Sequence, residues 1–439
     1  MYKNYYSLIL IIVLCVVYFP DFLYAQGSTK VITLEEAYGL ALKTHEQIMI
    51  AEQEVEKSRL LTKKALTVLT PKAYIRGTYK RESEEVVFDG HPVLPFDTWR
   101  GELEVTQPVY QGAVFPLRRQ ASRFVSSSVE SYYQTIQETL FKVARAYYQV
   151  LKAQQLVENA KETLKLAQEG LRVAQVRFRV GEVTKPAVLR GEVDVTRAER
   201  NLVETKNNLQ LAKGILTNLI GIKIRDYEVV EPPALPKLGE NYEALLNKAF
   251  KYRYDCKISN LNLDIAREDK NLVKARFHPA FDVVWTYHRY DPETFATRDK
   301  TWDAVVKVTI PIFEGGIRIW DLKEKQKDIR QARLALDDLR KGIEIEVEDA
   351  MLTVQTYERI LDNLRKQVEL AQENYNIIFK QFKVGLATSL DVTDALTALD
   401  SAKTELTTKT YGYQVALLNL ERVTGLFAKD HIAKAPKGN

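Results

Sequence analysis

Two cysteines and three methionines in 439 residues leave this chain almost no sulfur chemistry. Cys15 lies inside an apolar run without the small residues that precede a bacterial lipidation site, so a lipid anchor is not expected. Cys256 would remain alone in a processed chain, which excludes an internal disulfide and leaves a small apolar core residue. The five histidines (His45, His91, His278, His288 and His431) show no ligand spacing, so no metal site is expected. There is no P-loop, nucleophile elbow or dinucleotide fingerprint, so no catalytic residue, no cofactor and no enzyme are expected. A net charge of +5 is small for this length, and no basic cluster is interleaved with aromatics, which argues against nucleic acid.

Long apolar runs are missing too. The run Leu8–Phe19 is too short for a spanning helix, which needs about 20 residues. With Lys3 before it and Ala25 after it, the run fits a signal peptide over 1–25. No other stretch could cross a bilayer as a helix, so any membrane entry must use strands. Proline and glycine are scarce where they matter. From Pro116 to Phe178 the only glycine is Gly170, and from Ile317 to Phe382 only Gly342, with no further proline in either. Each stretch, about 65 residues, would make a helix of about 100 Å at 1.5 Å per residue.

What is present comes twice. TLEEAYGLALKTHEQ from Thr33 returns as NYEALLNKAFKYRYD from Asn241, and Pro71 and Tyr79 correspond to Pro279 and Tyr287. TQPVYQGAV from Thr106 returns as TIPIFEGGI from Thr309, and Gly181 and Gly221 correspond to Gly385 and Gly425. A repeat this long is not a solenoid unit and reads as a duplicated half. Repeat 1 is placed at 33–221 and repeat 2 at 241–427, with a proline-rich linker at 222–240 and a mobile tail at 428–439. Pro232, Pro233 and Pro236 exclude helix from the linker.

Four segments alternate with period two. One face carries Ala73, Ile75, Gly77 and Tyr79, then Trp99, Leu103 and Val105, then Phe281, Val283, Trp285 and Tyr287, then Trp302 to Ile310 at even positions. The opposite faces hold Arg76, Glu102, Glu104, Asp282, His288, Asp303 and Lys307. About ten residues is the length of a tilted transmembrane strand, and Tyr79, Trp99, Trp285, Tyr287 and Trp302 are candidate membrane-interface aromatics. Four strands cannot close a barrel in lipid, so several chains must contribute; two would give eight strands and three would give twelve. The long helical stretches keep a 3-4 apolar spacing, from Val143 through Ala146, Val150 and Ala153 to Ala174 and Phe178, and from Val347 through Ala350, Val354 and Tyr357 to Phe382. That is a heptad seam. Charged residues between, such as Lys152, Glu158, Lys161 and Glu162, are expected mostly to be solvated.

The ordered set of features resembles the TolC-type outer membrane efflux proteins of Gram-negative bacteria, from about Thr33 to Leu426. The segments that carry it are PKAYIRGTY and PAFDVVWTY, TQPVYQGA and TIPIFEGG, RFRVGEVTKPAVLRGEVD and QFKVGLATSLDVTDALTALDSAK, and the repeat endings LIG and VTG. The resemblance implies an α+β membrane protein: a homotrimer whose twelve strands, four per chain, form one transmembrane β-barrel continuous with a long periplasmic α-helical coiled-coil barrel. It implies a passive exit duct for efflux or type I secretion in the outer membrane lipid, docking to a periplasmic adaptor (membrane fusion) protein and an inner-membrane transporter. The turns at Val180, Gly181 and Thr184 and at Val384, Gly385 and Thr388 would be adaptor-contacting tips. Asp391 and Asp394 match the tip motif and would line a periplasmic constriction; Ala187 and Arg190 occupy the equivalent positions of repeat 1. A structural periplasm-spanning coiled coil without a conduit is the alternative.

Overall fold

The computed structural model describes residues 30–223, 227–233, 239, 241–294, 297–427 and 429. The expected signal segment at 1–25, and all of the expected tail at 428–439 except residue 429, lie outside them. The chain opens with β1 (Lys30–Ile32), α1 (Leu34–Thr44) and α2 (Glu46–Leu66), followed by β2 (Lys72–Arg81), the short β3 (Val86–Phe88) and β4 (His91–Leu94), and β5 (Asp97–Gln111). Two long helices come next, α3 (Val114–Arg179) and α4 (Lys185–Ile220). After β6 (Tyr227–Val229) the order recurs: α5 (Tyr242–Tyr252), α6 (Tyr254–Ala275), β7 (Ala280–Asp291), β8 (Lys300–Thr309), α7 (Ile317–Lys383) and α8 (Ser389–Val423). None of the described helices is long and apolar enough to cross a membrane.

Local chemistry sets the helix ends. Thr33 opens α1 with a capping box: its hydroxyl accepts from the Glu36 amide at 3.2 Å, and the Glu36 carboxylate accepts from the Thr33 amide at 3.0 Å. The expected linker is not wholly irregular, because β6 pairs in parallel with β1, Ile32 opposite Val229. The Tyr147 hydroxyl donates to the Val230 carbonyl at 2.6 Å and pins this pair to α3.

The four long strands form one antiparallel sheet in the order β2-β5-β7-β8. Its register sets Ile75, Leu103, Tyr287 and Trp302 in one row across the sheet, and Arg76, Glu102 and His288 in a neighbouring row on the other face. β5 runs to Gln111 through a bulge between Pro108 and Tyr110, longer than its alternation indicates. Ile310 lies one residue past β8. The β2–β5 connection contains a hairpin that alternation did not reveal. Its turn, Asp89-Gly90, has φ of 49° and 78°, as a two-residue primed turn requires.

Each long strand adjoins a helix: α2 precedes β2, α3 follows β5, α6 precedes β7, and α7 follows β8. The helices below keep the strand order, with α2 on α3, α3 on α6 and α6 on α7. Farther down, α4 and α8 flank α3, and α7 packs on α8. The 3-4 seam is the buried face. Val143, Val150, Ala153, Val157, Ala160, Ala167 and Ala174 are buried on α3, as are Val347, Ala350, Val354, Leu361, Leu364, Tyr375 and Phe382 on α7. Alanine brings the α3 backbone close to its neighbours. The seam breaks at its end, where Phe178 is exposed and Arg177 is buried instead. Cys256 is buried within an apolar cluster that includes Leu245, Ala249 and Leu417, and burial pushes its thiol pKa up.

Two glycines separate backbone need from helix propensity. Gly425 ends α8 at φ 73°, and an added Cβ would lie 2.8 Å from both the Arg253 nitrogen and the Tyr252 carbonyl carbon. Gly425→Ala should cost about 2 kcal/mol or more, from left-handed strain and overlap together. Gly342 lies within α7, and a Cβ there would meet nothing. Gly342→Ala should stabilise by up to about 1 kcal/mol. Thermal melts of helical circular dichroism in detergent should move in opposite directions for the two variants; movement in the same direction contradicts this assignment.

Candidate functional site

The two helix-to-helix turns lie at the end of the layer remote from the sheet. Both close by the same backbone device. Gly181 has φ 81°, its amide donates to the Phe178 carbonyl at 3.0 Å, and the Glu182 amide donates to Arg177 at 2.9 Å. Gly385 has φ 86°, with Gly385 to Phe382 at 3.3 Å and Leu386 to Gln381 at 2.9 Å. These are Schellman closures, which glycine permits because it has no Cβ. They leave Val180, Val384 and Leu386 strongly exposed.

The next helices start differently. Thr388 forms a capping box with Asp391, whose carboxylate accepts from the Thr388 amide at 2.8 Å and its hydroxyl at 2.7 Å. These donors hold the Asp391 carboxyl below its ordinary pKa. Thr184 makes no side-chain cap bond, and α4 has Pro186 in its first turn instead. Asp391 and Asp394 are both exposed, three residues apart. Asp394 makes no hydrogen bond or ion pair among the described residues, whereas Asp391 is already engaged in the cap.

Arg177 ties the two turns together. Its Nη1 donates to the Phe382 carbonyl at 2.7 Å, its Nε donates to Glu182 at 3.0 Å, and its guanidinium lies 5.2 Å from the Phe382 ring centre. Further polar links join the halves along their length. Asn159 donates to Thr407 at 3.0 Å, Thr163 to Asp400 at 2.7 Å, Lys403 to Glu162 at 2.8 Å, and Thr393 to Asp194 at 2.5 Å. Glu162 is therefore not simply solvated. A polar groove of about 230 Å³ opens between α4 and α8, lined by Asp194, Arg197, Asn201, Thr397 and Asp400 among others. Sequence periodicity does not reveal these links, because each partner lies over 190 residues away.

At the opposite end, the aromatics spread over one sheet face. Tyr79 and Trp99 face each other in adjacent strands, with ring centres 4.7 Å apart, and Tyr287 is paired with Trp302. Trp99 and Trp302 are the third residues of β5 and β8, while Trp285 lies mid-strand in β7. The other face is a web of ions. Arg76 reaches Glu102 at 2.9 Å and Glu104 at 3.0 Å, Arg100 reaches Glu102 at 3.0 Å, and His288 lies 3.2 Å from Asp303. Among the described residues there is no cluster of His, Cys, Asp and Glu that could hold a metal.

The outer membrane efflux protein family profile matches residues 37–222 and 245–426. The outer membrane protein TolC of Escherichia coli is 23% identical over 259 residues, 54% of this chain and 50% of TolC. The match thus spans about half the length of TolC. The alkaline protease secretion protein AprF of Pseudomonas aeruginosa is 22% identical over 418 residues, 90% of this chain and 84% of AprF. The crystal structure of the outer membrane protein VceC of Vibrio cholerae superposes with a TM-score of 0.75 at 16% identity, covering 89% of this chain and 96% of VceC.

The Arg177 staple yields a local prediction. Arg177→Met keeps apolar length but leaves the Phe382 carbonyl and Glu182 without this donor. A lost buried hydrogen bond of this kind costs about 1–3 kcal/mol. Amide hydrogen exchange should accelerate at 381–386 and at 180–183, while the sheet keeps its protection. Unchanged exchange at both turns rules out the staple.

Proposed function

This chain belongs to the outer membrane efflux protein family, a family of outer-membrane channels reaching into the periplasm, and from that premise we propose that three copies form one passive exit duct. Twelve strands, four from each chain, close a barrel with the charged faces inward and the aromatic faces in lipid. The two repeats arose by duplication of one half, and the helices of all three chains continue the barrel as a tunnel. The strand connections from Glu82 to Asp97 and from Tyr290 to Lys300 lie outside the cell, and the Gly181 and Gly385 turns point to the inner membrane. There the duct docks with a periplasmic adaptor and an inner-membrane transporter, through Val180, Thr184, Val384, Thr388 and the groove between α4 and α8. One observation carries the reading: a four-stranded sheet with two unpaired edges sits on helices of 66 and 67 residues. Open edges are not tolerated in hydrocarbon, so a closed ring of several chains is required. The charged face favours a wet lumen over a conduit-free strut.

Mass measurement in detergent should give three chains per particle, and those particles should conduct ions in planar bilayers. A monomer with full strand content, or trimers that never conduct, would refute the duct.

Asp391 and Asp394 would form two rings of three carboxylates at the tunnel mouth, raising negative potential and favouring cations there. Asn at both positions tests the charge while leaving an acceptor for the Thr388 amide. Cation preference and block by multivalent cations should fall in the double variant with trimers intact; unaltered selectivity would reduce both acids to helix-start residues. The cap itself has a defined pH range. The folded pKa of Asp391 lies below its unfolded value, so the cap contributes fully above about pH 3.9 and is lost as pH falls through the folded value. Protection of the α8 first-turn amides should therefore be flat from pH 7 to about pH 5.

A further inference from the structure

Apart from mid-strand Trp285, the aromatics considered so far mark one edge of the apolar sheet face, beside the β2–β5 and β7–β8 connections. A transmembrane barrel carries a second girdle about 25 Å away. On β8 the apolar stripe runs through Trp302, Ala304, Val306, Val308 and Ile310 without a charge. Eight residues at about 3.3 Å each, tilted near 40°, rise only about 20 Å. The apolar band must therefore run past the last ladder pair and into the strand-to-helix hinge.

The hinge has the matching chemistry. Ile312 is 93% exposed, Phe313 81% and Trp320 66%. Trp320 sits two residues beyond Arg318, the buried position of the first α7 turn, which places it about 200° around the helix, on the opposite face. The Lys323 ammonium lies 4.4 Å from the Trp320 ring centre and meets no carboxylate among the described residues. The start of α3 also carries an exposed aromatic, Phe115, three residues before Arg118, which has no ion-pair partner among the described residues.

We propose that this hinge is a second interface belt, seated in the phospholipid leaflet on the helix side, and that Trp320 and Lys323 together take the headgroup of an anionic phospholipid. The Trp ring suits the boundary between chains and headgroups. A lysine stem lies along apolar surface while its ammonium reaches outward to phosphate. A Lys without a carboxylate partner is complementary to an anionic leaflet. The inference rests on the reading of the sheet as membrane-spanning, and its test keeps the two apart.

The test uses the full-length protein in vesicles of phosphatidylcholine and phosphatidylglycerol. One variant keeps only Trp320 (W99F/W285F/W302F), and a control keeps only Trp302. Bromines are placed on the acyl chains near the headgroup or near the methyl end, carried by either lipid. Trp320 should lose fluorescence mainly to shallow bromines, and more to those on phosphatidylglycerol than on phosphatidylcholine. Lys323→Gln should erase that lipid preference. Quenching of Trp302 without quenching of Trp320 overturns the belt alone; quenching of neither also overturns the spanning sheet. Equal quenching of Trp320 by both lipids overturns the headgroup site. Should the triple variant fail to assemble, Trp320→Phe in the otherwise native protein reads the same contact as a loss of shallow quenching, and no loss overturns it.

Discussion

A backbone amide or carbonyl left without a partner in hydrocarbon costs several kcal/mol, and β2 and β8 each turn a full row of them outward. Among the described residues of one chain nothing pairs with either row. Water could solvate these edges, but then Ile75, Trp99, Trp302 and Val306 would also face water, all more than half exposed. The proposed closure in lipid with further copies would satisfy both the apolar face and the edges. The charged face follows from the same constraint. Arg76, Arg100, Glu102, Glu104 and Asp303 cannot face hydrocarbon, so the proposed closure would turn them inward, where ion pairs within and between strands, together with water, would share their charges.

Strand order then dictates helix order. Because every long strand is joined at one end to a helix through a short segment, the sheet register fixes which helices are neighbours at the top of the layer. Near the sheet the neighbours are α2, α3, α6 and α7; toward the tips α4 and α8 replace the shorter α2 and α6. Only α3 and α7 run the full length. Alanines on the α3 seam allow a close approach, which a seam of leucines would not. Apolar seams alone tolerate sliding by a heptad. The specific bonds Asn159–Thr407, Thr163–Asp400 and Glu162–Lys403 do not, so they set the register of α3 against α8.

Much of this is legible in the sequence, and the reason is periodicity. Alternation at period two located the four long strands, and the 3-4 spacing with missing proline located α3 and α7 to within a few residues. The turns at Gly181 and Gly385 follow from the family resemblance, and their glycines suit the Schellman closures found there. What stayed hidden depends on neighbours distant in sequence or on local exceptions. The bulge at Pro108–Tyr110 extends β5 past a proline that reads as a stop. The Val86–Leu94 hairpin is too short for its alternation to stand out, although its Asp-Gly turn was visible. Arg177 replaces Phe178 as the buried residue because its partner is a carbonyl of the other half, and no pattern within one repeat encodes that.

The two tips show how a repeated half acquires different duties. Their Schellman turns are alike, so the backbone path is set by glycine in both. The side chains that follow are not. Three residues beyond Thr184 stands Ala187, which has no carboxylate to return to the cap; three beyond Thr388 stands Asp391, which does. The first tip supplies Arg177, which donates across to the Phe382 carbonyl of the second tip and pairs with Glu182 on its own. Helix-start chemistry therefore accounts for Asp391 on its own terms. It does not account for Asp394, which lies beyond reach of the cap and meets no partner among the described residues. The proposed charged mouth therefore rests chiefly on Asp394, whose charge the cap leaves unanswered.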